Sequence, residues 1–394
     1  MGGLKLSCHC SPPLAGNADS ESVARFALVA KPRVLFVGRT RYRLPLSESL
    51  SRKWDALAEE LDCRVLATAA AGSSGAGDER FRLVGDGPGV AFYAALPFRI
   101  AGEVRRFRPD AIVAQSPYEA LAALAGRALG HRRAKVVLEV HGDWRTLARL
   151  YGSPLRRLAA PVADRLAALA VRRADAVRAL SPFTIELVRS YGAEPAAAFA
   201  TYSDLSAFAD PPVQPLPVDP SVLFVGVLER YKNLDGLAAA WRLAAPRAPG
   251  ARLRIVGKGR ERAIVERLVS DLPTQTEWTP ELTPTEVVRA LDESSLLVLP
   301  SRSEGLPRVA LEALLRGRPV VGARAGGIPD AVQHETNGLL VAVGDPQALA
   351  DALVRALADR ALLERLAAAA RASVAQWMQT ADEYARNVRE LVEP

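Results

Sequence analysis

Cysteine is scarce in this chain of 394 residues: three occur, with Cys8 and Cys10 flanking His9 near the start and Cys63 alone in the body. So few thiols exclude a disulfide scaffold, and a reducing, cytoplasmic setting is the expectation. The run Cys8-His9-Cys10 is too short to enclose a metal by itself. Only four histidines are present and no Asp-x-Asp pair occurs, so no metal site is expected. Aromatic residues make up 6% of the chain and do not interleave with the arginines, which removes the stacking platform of a nucleic-acid binder. No stretch of about 18 apolar residues runs without a charge, so no membrane-spanning helix is expected. Residues 1–31 lack the apolar core of a secretory signal and read as a disordered leader. Leu6 stands where a myristoylation signal needs Ser or Thr.

What is present points to two globular cores. The hydrophobic fraction of 49% is ample for them, and the length exceeds what one core organises. A formal net charge of +7 favours anionic partners. From Arg33 onward, short β-branched runs alternate with longer Ala/Leu/Arg segments, the pattern of an α/β chain with parallel sheets. Strands are expected at 33–38, 63–68, 81–84, 110–115, 135–140 and 175–180. The pattern restarts at 221–226, 252–256, 296–299, 319–323 and 338–341. This divides the chain into a first domain at 32–205, a Pro-rich linker at 206–220, a second domain at 221–375 and a terminal helix at 376–394 that crosses back to the first. In the linker, Pro211, Pro212, Pro215, Pro217 and Pro220 deny the backbone donors of a helix or central strand. A basic amphipathic stretch runs over 145–178 with Arg149, Arg156, Arg157, Arg165, Arg172 and Arg173. It reads either as a solvated helix face or as a contact with an anionic membrane surface, the latter placing the protein peripherally on the cytoplasmic membrane face.

The most informative segment is Pro300-Ser301-Arg302-Ser303-Glu304-Gly305-Leu306-Pro307-Arg308-Val309-Ala310-Leu311-Glu312. It follows an apolar strand and opens a helix. Pro307 suits the first helical turn, and the free amides beyond it make an anion site fit for a diphosphate. Glu304 precedes the helix and Glu312 lies about two turns inside it, so both can hold hydroxyls along one surface. Alternatively, Glu304 is a helix-start acid and Glu312 a partner for Arg308 or Arg316. Gly326-Gly327-Ile328-Pro329-Asp330 follows the next strand and permits close backbone approach to a ligand. Asn337-Gly338-Leu339-Leu340 comes after it.

This order of motifs resembles the retaining GT-B glycosyltransferases of family 4 (group 1) over 221–357. The resemblance implies two Rossmann-like domains facing across a cleft, with no obligatory cofactor. Its donor is a nucleotide diphosphate sugar, UDP- or GDP-linked, and its acceptor a glycan, glycolipid or small polyol. By the same resemblance Glu304 contacts the transferred sugar and Glu312 the ribose hydroxyls, with Gly305, Leu306, Pro307 and Val309 along the donor. In Val225-Gly226-Val227-Leu228-Glu229-Arg230-Tyr231-Lys232, Gly226 and Lys232 match the element that neutralises the diphosphate. Val227 replaces the family's arginine, and Arg230 is expected to reach in from the same loop. Gly257, opening Gly257-Lys258-Gly259, is expected either to approach the nucleotide or to make a tight turn.

His141, in Leu138-Glu139-Val140-His141-Gly142-Asp143, resembles the family's cleft histidine, and His141, Glu304 and Lys232 are the expected catalytic set. On the acceptor side the expected residues are Gly38, Arg39 and Arg41 of an arginine-rich loop, suited to a phosphate-bearing acceptor, together with Asp143. Tyr202-Ser203-Asp204 departs from the Asn-Gly-Val-Asp of relatives. Closure of the domains is expected around the linker. Two rival readings stand beside transfer. A nucleotide-sugar epimerase on this fold needs acid/base residues at the sugar ring, and the first domain offers only His141 and Asp143. A catalytically weak relative that still holds nucleotide is the other, motivated by Val227. A phosphorylase would need a pyridoxal-bearing lysine, which nothing marks.

Overall fold

The structure is a computed structural model that describes residues 30–73, 77–85, 87, 89–146 and 154–393. The expected leader as far as residue 29, with Cys8, His9 and Cys10, lies outside the described residues, as do Arg149 and the side chains of Arg156 and Arg157.

Seven strands build the first sheet: β1 (Arg33–Tyr42), β2 (Asp62–Ala69), β3 (Phe81–Val84), β4 (Ala111–Ala114), β5 (Lys135–Val140), β6 (Ala176–Ala179) and β7 (Ala197–Ala198). Six build the second: β8 (Ser221–Val225), β9 (Arg252–Val256), β10 (Thr276–Thr279), β11 (Leu296–Leu299), β12 (Val320–Ala323) and β13 (Gly338–Val341). Their orders are β3-β2-β1-β4-β5-β6-β7 and β10-β9-β8-β11-β12-β13, and the pairings are parallel throughout. Central strands such as Ala111–Ala114 and Leu296–Leu299 are buried along their whole length. A parallel sheet clad by helices on both faces demands that composition. Each sheet reverses its order beside its first strand, between β1 and β4 and between β8 and β11. Such switch points open a crevice at the carboxyl ends of the strands, where doubly wound folds take ligands.

Strands β7 and β10 were not expected. The first has two residues, and the second, Thr-Glu-Trp-Thr, carries a single large apolar residue at a sheet edge. Strand β1 also continues to Tyr42, resuming its pairing with β2 at Arg41 after a register shift. The expected arginine-rich loop is therefore the end of a strand.

Helices Gly89–Phe107, Pro117–Leu129 and Pro154–Arg173 cover one face of the first sheet, packing on residues such as Leu35, Ile112 and Leu138. Helix Glu48–Glu60 covers the other face together with helix Ala381–Val392 from the far end of the chain. That last helix opens with a capping box between Thr380 and Glu383. It buries Tyr384, Ala385, Val388, Leu391 and Val392 in the same core as Trp54 and Leu57, and Arg389 reaches Glu60 at 2.8 Å. The basic stretch at 145–178 is not one surface. Arg165, Arg172 and Arg173 are exposed, Arg145 is paired with Asp143, and Arg178 on β6 is wholly buried.

The Pro-rich linker, expected to be the hinge, is held down along the second domain. Proline lacks an N–H but keeps its carbonyl acceptor. Buried Arg316 donates to the carbonyls of Pro211 and Pro212 at 2.7 Å each while pairing with Asp292 at 2.9 Å. Buried Arg318 donates to Gln214 and Pro215. Leu205 and Phe208 already belong to the second core, whereas Tyr202 packs against the first. The chain thus crosses at Ser203-Asp204, and it returns between Trp377 and Ala381.

Candidate functional site

The loop after β11 is shaped by glycine. An ideal Cβ on Gly326, whose φ is +52°, would stand 2.0 Å from the Glu304 carbonyl oxygen, and one on Gly327 would stand 1.9 Å from that of Gly305. Gly327 N also donates to the Glu304 carbonyl at 3.1 Å. The close approach expected of this Gly-Gly pair is therefore made to the Glu304-Gly305 turn, which it seats. Helix Arg308–Leu315 follows, with Pro307 at its N-cap rather than in its first turn. The amides of Arg308 and Val309 at its start have no acceptor within the helix by geometry.

Lys232 and Glu304 meet in this loop region, Nζ to Oε1 at 2.6 Å, both largely buried. Gly226 borders the pair, since a Cβ there would lie 3.4 Å from the Lys232 side chain. Glu312 is also buried and accepts from Arg308 Nε at 2.7 Å. Burial pushes its carboxyl above the ordinary value, and Arg308 offsets only part of that. Arg316, the other partner considered for it, is committed to Asp292 and the linker.

The opposite wall comes from the first sheet. His141 and Gly142 follow β5 and touch the Glu304-Gly305 turn so closely that a Cβ on Gly305 would stand 1.9 Å from the His141 carbonyl oxygen. Thr146 Oγ1 donates to Ser303 Oγ at 2.9 Å and Phe183 N to Asp330 Oδ2 at 2.9 Å, bridging the two walls. Between them lies a cavity of about 500 Å³ lined by Gln115, His141, Trp144, Tyr231 and Glu304 among others. A smaller recess of about 210 Å³, bounded by His141, Thr201, Leu306 and Arg308, adjoins it.

Several expected residues are elsewhere. Arg230 does not join Lys232: its guanidinium lies 3.5 Å from Glu261 on the exposed side of the loop, and Val227 remains an exposed apolar position. Gly257 packs loop against loop, since a Cβ there would collide with the Gly226 carbonyl oxygen at 1.8 Å. Gly38 lies beneath Gln115, whose Oε1 would be 2.0 Å from a Cβ at that position. Arg39 donates to the Gly87 carbonyl at 3.2 Å, Arg41 is exposed on β1, and neither lines the two cavities. Of the expected acceptor-side set, Asp143 alone borders the cleft, held by both nitrogens of an Arg145 fork at 2.7 and 2.9 Å.

Glu139 corrects the view that His141 and Asp143 are the first domain's only such groups at the cleft. Its Oε2 lies 3.2 Å from His141 Nε2, and its Oε1 pairs with Arg178. The sequence carries only the nearness of the two, Glu139 standing two residues before His141 at the end of β5, where such a spacing favours one face. Among the described residues no group of three or more His, Cys, Asp and Glu side chains is arranged to hold a metal.

Comparison with known proteins gives the family and the fold. The family described as Glycosyltransferase Family 4 matches residues 28–198, and Glycosyl transferases group 1 matches 219–359. A D-inositol 3-phosphate glycosyltransferase of Saccharomonospora viridis is 34% identical over 235 residues, 56% of this chain and 51% of that protein. The match thus spans about half the length of this curated relative. Among solved structures, sucrose-phosphate synthase from Thermosynechococcus elongatus superposes with a TM-score of 0.72 at 19% identity, covering 92% of this chain and 98% of the other. HepE of Anabaena, solved with UDP and glucose, gives 0.65 at 19% identity over 91% and 98%. These two likenesses establish the fold.

Proposed function

The chain belongs to the group 1, family 4 glycosyltransferases, and from that premise we propose that it transfers a hexosyl group, with retention, from a nucleotide diphosphate sugar to a hydroxyl acceptor. The observation that carries the reading is Glu304, paired with Lys232, facing His141 across one cavity. A diphosphate entering there draws the Lys232 ammonium to itself, and the amides opening helix Arg308–Leu315 add donors to the leaving group. Glu304, released from its partner, accepts from hydroxyls of the transferred sugar, and Glu312 accepts from the ribose. His141 holds the sugar from the other wall. The acceptor oxygen attacks C1 on the face that the diphosphate leaves, its proton passing to the departing phosphate oxygen as the C1–O bond breaks. Val227 supplies no charge to that phosphate, so Lys232 carries the electrostatic work on this side.

UDP is the preferred nucleotide in this reading, supported by HepE, which is solved with UDP and glucose. The acceptor is a phosphorylated polyol, supported by the name of the 34% identical relative and by the basic character of the chain. The epimerase alternative gains no support from Glu139, whose carboxylate borders the cleft but is almost wholly buried and held by Arg178 and His141.

Thermal unfolding in the presence of UDP, GDP, ADP and dTDP tests the donor site, because a ligand bound by the folded state stabilises it by mass action. Selective stabilisation by UDP that disappears in Glu312→Ala is the expected result. Stabilisation by none of the four nucleotides would overturn the assignment and make Val227 decisive.

A further inference from the structure

We propose that Glu139 and Arg178, with Tyr384 of helix Ala381–Val392 as their floor, form a positioning relay that fixes the ring and the tautomer of His141. It deepens the reading above, in which His141 faces the sugar.

Arg178 is wholly buried, and its guanidinium is engaged on every side. Nη1 donates to Glu139 and, at 3.3 Å, to the Tyr384 hydroxyl; Nη2 donates to Thr201 Oγ1 at 2.8 Å; Nε donates to the Phe199 carbonyl at 3.3 Å. The guanidinium's central carbon lies over the Phe199 ring, 4.3 Å from the centroid. A guanidinium has only donors, so the Glu139 oxygen facing it must accept. The charged and titratable groups around Glu139 are Arg178 on β6, His141 just beyond its own strand, Lys53 of helix Glu48–Glu60, Tyr42 on β1 and Tyr384. Burial alone would raise this carboxyl, but Arg178, then His141 and Lys53, pull it down to about 2. The second oxygen is therefore also an acceptor, and His141 Nε2 must carry the proton. In the neutral ring that leaves Nδ1 as an acceptor for a sugar hydroxyl. An ion pair serving stability alone would leave the proton of His141 unspecified.

Glu139→Gln separates the two. Arg178 still requires an acceptor, so the amide oxygen stays on its side and the amide NH2 turns to His141, forcing Nε2 to accept and moving the proton to Nδ1. Nitrogen NMR of 15N-histidine-labelled protein, recorded over about pH 6 to 10 and interpreted where the spectrum itself shows a neutral ring, reads this directly, with His141 identified by its loss in His141→Ala. A single Nε2–H form in the wild type and an inverted pattern in Glu139→Gln are expected. A mixture of tautomers in the wild type overturns the relay even if the variant fails to fold, and so does an unchanged pattern in a folded Glu139→Gln. In a transfer assay the same variant is expected to lose about tenfold or more in kcat with little change in the donor KM. Failure to detect transfer in the wild type, with both tautomer results holding, counts against the proposed function and not against the relay.

Discussion

Glu139 and Glu312 are both buried carboxylates, yet their surroundings pull them in opposite directions. Glu139 sits at about 2 in the folded protein against an ordinary 4.5. Its contribution to stability is complete above 4.5 and is lost as the pH falls from there toward 2. Glu312 is raised, so the folded state keeps a proton that the unfolded chain has released, and stability declines as the pH rises from 4.5 through the raised value. Denaturant unfolding over about pH 2.5 to 8 should therefore show a flatter acid limb in Glu139→Gln. In Glu312→Gln the loss above 4.5 should be smaller. Equal slopes in wild type and both variants would contradict the two environments. These residues also differ in how readable they were. Glu304, Glu312 and Lys232 stand in local motifs whose resemblance to those of a known family carries the information. The role of Glu139 depends on Arg178, 39 residues away, and no local pattern announces a partner at that distance.

At the scale of elements, most strands were legible because a parallel sheet buried on both faces writes itself as unbroken β-branched and aliphatic runs. Edge strand β10 lacked such a run, and β1 continued through Arg39 and Arg41, whose polarity resembled a loop. The linker misled for a different reason. Its prolines correctly ruled out helix and strand, but the carbonyls they retain are acceptors for Arg316 and Arg318, about a hundred residues further on. Arg316→Met removes the part of the strap over Pro211 and Pro212 and leaves Asp292 only the longer 4.0 Å contact with Arg318, at a cost of about 3–5 kcal/mol, the usual effect of breaking a buried pair. The expected signature is a lower denaturation midpoint together with new protease cleavage within 211–217. Cleavage confined to other segments would show that the strap is dispensable. Domain closure, where donor binding requires it, then falls to Ser203-Asp204 and 378–380, the places where the chain changes cores.

At the scale of the whole molecule, the three helices over one face of the first sheet leave an outer surface that is both apolar and basic. Val90 and Phe98 are exposed on helix Gly89–Phe107 beside the exposed Arg99, Arg105 and Arg106, and Val162, Leu166 and Leu169 on helix Pro154–Arg173 beside Arg165, Arg172 and Arg173. No described helix is long and apolar enough to cross a membrane. A surface of this composition is expected to rest on anionic lipid. Sedimentation with phosphatidylserine vesicles at low salt should carry down the wild type, and markedly less of a Phe98→Ser, Val162→Ser variant. Equal recovery of both in the supernatant would remove the membrane from the account.

The return of helix Ala381–Val392 to the first core also bears on biosynthesis. Arg389 and Glu60 are 329 positions apart, a separation that the ribosome covers in roughly 15–65 s at about 5–20 residues per second. Throughout that interval the nascent first half lacks Tyr384, Val388 and Leu391, and the apolar face awaiting them is open to chaperones or to neighbouring chains. The second half has no such debt to a later segment except the helices that immediately follow it. Its own core is complete only with Val374, shortly before helix Ala381–Val392 is made, so the two halves close their cores late and nearly together rather than one after the other along the growing chain.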